Sequence, residues 1–147
     1  MRSCGLFFAY ADRRVIDVSA LIKLPDDISS VQAAGLLSKG LTAWALVKQV
    51  HGVRAVETAV VHGASGGPGS LLAHWAKSLG ANVTATVGSA GKARIVESWG
   101  PDLVLRSDGA DLAQRIRALS GGYGVDVVYD LVGRQTLDPG HGGVGVV

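Results

Sequence analysis

Residues 58–81, TAVVHGASGGPGSLLAHWAKSLGA, pass from an apolar run through a cluster of glycines into a second stretch with helical apolar spacing. Two chemistries compete for this segment. Gly63-Ala64-Ser65-Gly66-Gly67 fits G-x-S-x-G, the strained turn that exposes a serine nucleophile at the end of a strand. Residues 64–69, ASGGPG, are a near-miss of G-x-G-x-x-G, the turn that lays a dinucleotide pyrophosphate on a helix N-terminus. The surrounding chain has to decide between them.

Four short runs rich in β-branched residues recur, at 58–62, 82–87, 102–106 and 125–132, and each of the first three is followed by a helix-like segment. Near-continuous apolar strands separated by helices predict an α/β fold, a doubly wound parallel sheet covered on both faces. In the first intervening segment Leu71, Leu72, Trp75, Ala76 and Leu79 share one helical face, with Gly80 placed to end the helix. A second helix is expected over 90–99, closed by Gly100. In a third, Leu112, Ala113, Ile116 and Leu119 form the stripe and Asp108 is placed to cap it. Ahead of the first strand, Ser29-Ser30-Val31-Gln32 reads as a capping box opening a helical region that runs to about Val50, with a break near Gly40. Residues 10–24 read as one or two extended segments.

This context favours the dinucleotide turn, which needs a strand before the glycines, a helix after them and a second strand about 20 residues on. Gly66 lets backbone approach a pyrophosphate, Gly69 lets helix and strand pack closely, and Pro68 suits a first helical turn, where its missing N–H would be unpartnered anyway. The hydrolase alternative can cite Ser65, Asp130 and His141 in the order of a triad. It leaves Pro68 and Gly69 without a task, however, and the forty residues before the turn look helical where several strands should precede a nucleophile.

The end of the second strand bears on which dinucleotide. The chain there reads VGSAGKAR over residues 87–94, with no carboxylate to meet a ribose 2′-hydroxyl. Ser89, Lys92 and helix-start N–H groups instead suit a 2′-phosphate, so NADP(H) is expected over NAD(H).

Composition narrows the remaining classes. With 147 residues, 48% of them hydrophobic, the chain can bury one sizeable core. Fourteen basic and twelve acidic residues are spread along it for a net charge of +2, which does not point to nucleic acid. A single cysteine, Cys4, excludes an internal disulfide and a cysteine-rich zinc site, and fits a reducing, cytoplasmic setting. The apolar runs are far shorter than the ~18 residues of a membrane span. Trp44, Trp75 and Trp99 occupy helix positions suited to packing, and His62, His74, Tyr129 and Asp130 read as structural.

The segments LIKLPDDISSVQAAGLLSKGLTAWALV, VVHGASGGPGSLLAHWAKSLGANVTATVGSAGKA and GVDVVYDLVG together resemble the zinc-independent quinone oxidoreductase branch of the medium-chain dehydrogenase/reductase superfamily. The resemblance extends over about residues 10–137. That branch commonly carries an A-x-x-G-x-x-G form of the turn, matched here by Gly63, Gly66 and Gly69, which explains the near-miss. It implies Thr42 beside the nicotinamide end and Ser65, Gly66, Gly67, Pro68 and Gly69 on the pyrophosphate. It further implies Gly88, Ser89 and Lys92 on the adenosine 2′-phosphate, and Val132 and Gly133 beside the nicotinamide ribose. A tyrosine that family members often have near the adenine is replaced at about Ser107. The implied activity is hydride transfer from NADPH to a quinone or similar electron-poor acceptor, with no metal and a protein that mainly binds and orients. The resemblance also allows a homo-oligomer.

The same resemblance implies that residues 1–24 are the remnant of a preceding catalytic domain and 25–147 an incomplete dinucleotide-binding domain. Residues 142–147 could form a fifth strand, but about eight residues link them to the fourth, below the ~10–12 that a parallel crossover requires. Beside the oxidoreductase stand a sibling such as an enoyl-thioester reductase, a non-catalytic nucleotide-binding fragment and, remotely, the serine hydrolase.

Overall fold

A computed structural model describes residues 11–109, 111–118, 122, 124–133 and 136. The chain divides into two compact units within its first helix, one up to Gly35 and the other from Leu36 onward. In the first unit the regular element ahead of that helix is a 3-10 turn, Val18–Ala20, capped by the Asp17 carboxylate on the Ser19 N–H, with Asp17 and Leu21 in extended backbone on either side. The extended segments expected over 10–24 therefore form no strand among the described residues.

Helix α1 spans Ser30–Trp44 and starts at the expected capping box. The Gln32 side-chain oxygen accepts from the Ser29 N–H at 2.9 Å, and the Ser29 hydroxyl accepts from the Gln32 N–H at 3.2 Å. No break occurs at Gly40. Nothing lies within 4 Å of where its side chain would be, and a single helical glycine costs only about 1 kcal/mol against alanine, so α1 runs through it. The irregularity comes later, where the hydrogen bonding widens to a π-helical segment, Ala45–Val50, that turns Val47 into the core.

In the second unit strands β1 (Thr58–His62), β2 (Asn82–Val87), β3 (Leu103–Arg106) and β4 (Val127–Asp130) alternate with helices α2 (Gly67–Ser78), α3 (Ala90–Glu97) and α4 (Leu112–Ala118). All pairings are parallel, in the order β3-β2-β1-β4. β1 and β2 have the expected bounds. β3 and β4 are shorter than the apolar runs that mark them; at its carboxyl end β4 stops where its neighbour β1 ends, at the pair His62↔Asp130.

Period-two alternation sorts the strand residues onto two cores. Ala59, Val61, Val83, Ala85, Val87, Val127 and Tyr129 face α2 and the α1/π-helical segment, meeting Leu72, Ala73, Ala76, Ala43 and Val47. Val60, Leu105 and Val128 face α4 through Leu112 and Ile116. The expected α2 stripe is the observed one, and Gly80, at φ +88°, ends that helix. Asp108 does not cap α4; its carboxylate pairs with the Arg106 guanidinium two residues earlier, and the Asp111 carbonyl accepts from the Arg115 N–H inside the first turn. Trp75 and Trp99 pack on the core as expected, whereas Trp44 is 43% exposed. Leu119, His141 and the segment 142–147 lie outside the described residues.

Candidate functional site

The carboxyl ends of β1 and β4 lie side by side, and the strand order reverses between them: β1 leads through α2 to β2 and β3 on one side, whereas β4 is added on the other. In open parallel sheets such a reversal of strand order leaves a crevice in which ligands bind. The glycine turn fills this position. Gly63 follows β1 at φ +69°, a conformation that favours glycine, and a Cβ there would stand 3.0 Å from Val132 Cγ2 across the crevice. The Ala64 N–H is held by the Thr86 carbonyl at 3.1 Å and the Gly66 N–H by the Gly63 carbonyl at 2.9 Å, so the turn is tied to β2 and to itself.

Gly66 is the N-cap of α2, and Gly67 and Pro68 are its first two residues. Pro68 removes a donor that the helix start would leave unpartnered. At Gly69 the reason for glycine is contact: a Cβ would lie 2.5 Å from the Gly63 carbonyl oxygen and 3.0 Å from Ala64 Cα. Helix and turn thus touch backbone to backbone, which aims the first N–H groups of α2 out of the end of the sheet and makes an anion cradle there.

The opposite wall of the crevice is the turn after β4, and Asp130 shapes it. One carboxylate oxygen accepts from the Val132 N–H at 2.8 Å and the Gly133 N–H at 2.9 Å, and the buried Thr136 hydroxyl lies 2.7–2.8 Å from both oxygens. Burial would raise the Asp130 pKa; these donors, led by the Gly133 N–H and the Thr136 hydroxyl, outweigh it and hold the carboxyl below its usual value. The backbone of Val132 and Gly133 is thereby fixed, with the Val132 side chain against Gly63. The expectation of a satisfied Asp130 carboxylate holds, while the sequence gives Thr136 no role. The legible signal was an Asp followed two and three residues on by free backbone N–H groups, the pattern of an Asx turn.

At the end of β2, Ser89 caps α3, its hydroxyl accepting from the Lys92 N–H at 3.4 Å. Gly88, Ser89 and Lys92 are all exposed, and Lys92 has no carboxylate partner among the described residues. Ser107 follows β3 next to this turn, its hydroxyl 3.9 Å from where a Gly88 Cβ would stand. Thr42 is exposed on α1 and donates its hydroxyl to the Ser38 carbonyl at 3.0 Å. Three residues before it, Lys39 lays its stem across Gly67, with Cδ and Cε 2.6 and 2.7 Å from the position of an added Cβ. The sequence reading passed over this lysine.

These residues are poorly suited to hydrolysis. Ser65 lacks the strained backbone of a nucleophile elbow, since Val56 is the one non-glycine residue with positive φ among those described. Asp130 is committed to its own loop. His62 is buried behind the turn, with Nδ1 2.8 Å from the Thr86 hydroxyl.

The model of the family described as zinc-binding dehydrogenase matches residues 67–140, half of the chain. This chain belongs to that family. A 2-haloacrylate reductase of Burkholderia sp is 39% identical to it over 131 residues, covering 88% of the chain and 39% of that protein. The quinone oxidoreductase of Pseudomonas syringae pv. Tomato superposes with a TM-score of 0.74 at 40% identity, over 79% of this chain and 36% of that one. That of Escherichia coli, solved as a complex with NADPH, gives 0.72 at 41% identity, over 77% and 35%. Within the medium-chain dehydrogenase/reductase superfamily the chain falls in the quinone oxidoreductase branch that its sequence resembles, and it spans about two fifths of the length of the relatives it matches. Among the described residues there is no group of three or more His, Cys, Asp or Glu side chains that could hold a metal ion. No helix among them is long and apolar enough to cross a membrane.

Proposed function

We propose that this chain forms the cofactor-binding part of an NADPH-dependent oxidoreductase that reduces a quinone or a similarly electron-poor conjugated acceptor. The observation that carries this reading is the glycine turn at the β1–β4 crevice, where turn and helix start touch backbone to backbone, in a chain related to proteins that include an NADPH-bound quinone oxidoreductase. When bound, NADPH supplies a hydride; the residues of this chain bind and orient it. Ser65, Gly66, Gly67, Pro68 and Gly69 take the pyrophosphate on the first turn of α2. Gly88, Ser89 and Lys92 take the 2′-phosphate, with no carboxylate at the end of β2 to repel it. Val132 and Gly133, pinned by Asp130, border the nicotinamide ribose, and Thr42 stands toward the nicotinamide end. Residues 25–147 are then dinucleotide-binding and residues 1–24 the end of the domain preceding it, in a cytoplasmic enzyme.

Oxidation of NADPH in the presence of a simple benzoquinone, followed by nicotinamide absorbance, tests the reading alongside a separate measurement of nucleotide binding. Quinone-dependent turnover faster with NADPH than with NADH is expected. Binding without turnover would favour a nucleotide-binding module that does no chemistry alone. Absence of binding by the folded chain would contradict both.

A further inference from the structure

We infer that Lys39 is a second cationic ligand of the cofactor, acting on the pyrophosphate and therefore indifferent to the 2′-phosphate that Lys92 reads. The inference rests on the cofactor reading above and concerns a residue to which that reading gives no role.

Two observations carry it. First, the stem of Lys39 is laid along the phosphate turn: its Cγ, Cδ and Cε all come within 3.3 Å of the point where a Gly67 Cβ would be. Such an approach is open only because residue 67 has no side chain, and it brings the lysine to the first residue of α2, where helix N–H groups already favour an anion. Second, the ammonium is uncommitted. Lys39 is exposed and has no carboxylate partner among the described residues, while Lys77 and Arg106 are paired with Asp102 and Asp108. An unpaired cation beside a helix start strengthens attraction for a diphosphate without the cost of breaking an ion pair. Lys39 also lies one turn before Thr42 on the same side of α1, and Thr42 is the residue that the cofactor reading gives to the nicotinamide end.

The geometry makes Gly67 and Lys39 a coupled pair. A methyl group on Gly67 would meet the lysine stem rather than the crevice, and the flexible stem would swing aside, taking its charge with it. The full chain is titrated with NADPH and with NADH by calorimetry, each variant first checked for an unchanged thermal midpoint. Lys39→Met, which keeps the stem and removes the charge, is expected to weaken both nucleotides alike by about five- to tenfold. Lys39→Arg should retain most of the affinity, and Lys92→Ala should weaken NADPH selectively. Gly67→Ala should reproduce the Lys39→Met loss in the parent chain and add almost nothing to it in the double variant. Parent-like affinity in Lys39→Met overturns the inference and leaves the cofactor reading standing, as do losses that simply add in the double variant. A parent chain that binds neither nucleotide overturns both.

Discussion

A Cβ added to Gly69 would stand 2.5 Å from the carbonyl oxygen of Gly63, six residues earlier in the turn that joins β1 to α2. The obstacle is backbone on both sides, so it cannot be relieved by a side-chain rotation. Gly69→Ala should therefore cost about 2–3 kcal/mol in urea unfolding, at the upper end of what overpacking does. Gly66→Ala, whose Cβ would be 3.2 Å from the same oxygen, should cost distinctly less. Equal losses would mean that the helix does not bear on the turn at Gly69.

Asp130 and the loop it holds give the fold an acid dependence. Its folded pKa lies below the unfolded value of ~3.9, so its contribution is fully present above that value and is lost as pH falls through the folded one. Asp130→Ala, which leaves the Val132 and Gly133 N–H groups and the Thr136 hydroxyl without their acceptor, should lose about 2–3 kcal/mol at pH 7. The difference from the parent chain should shrink below pH 4. A difference that stays constant down to pH 3 would contradict the assignment.

Tyr129 works at the other end of the scale. It is fully buried in β4, and burial, with the charge of Glu57, pushes its pKa up to about 12. Folding thus favours the neutral phenol: stability is intact below the unfolded value of ~10 and declines as pH rises from there toward 12. Tyr129→Phe gives up only a 3.4 Å hydrogen bond to the His51 carbonyl and should flatten the alkaline decline in thermal midpoint between pH 10 and 12. An unchanged decline would assign it to other groups.

Val56 offers a gain in stability. It sits at φ +64° in the turn before β1, a conformation costly for a β-branched residue, and its side chain is 81% exposed, so little packing offsets the strain. The turn is held independently by the Val56 N–H on the Gly80 carbonyl and the Arg54 N–H on the Glu57 carboxylate. Val56→Gly should raise stability by about 1 kcal/mol, the released strain exceeding the added freedom of the unfolded chain. A lower thermal midpoint would contradict it.

Legibility in the sequence followed the strength of local signals. β1 and β2 could be bounded to the residue because each is a buried run ending at a glycine turn, and the capping box at Ser29 and Gln32 is a purely local device. The glycine turn was ambiguous in isolation and became readable only through the strand and helix around it. What stayed hidden depends on partners distant or optional in sequence. Asp108 could cap a helix or pair with Arg106, and only the folded loop shows which. The widening of the helix after Trp44, which accompanies the burial of Val47 in the core, has no signal in the local spacing of residues. In the candidate site the glycines announced themselves by spacing, whereas Lys39 resembles any surface lysine until Gly67 is found beneath it.

The most direct measurement is a calorimetric titration of the full chain and its Lys92→Ala variant with NADPH and NADH. Tighter binding of NADPH by the parent chain, with a loss of about tenfold or more for NADPH and little for NADH in the variant, is the expected result. Equal losses for both nucleotides would remove Lys92 from the 2′-phosphate, and no binding by the folded parent chain would contradict a cofactor site at the β1–β4 crevice.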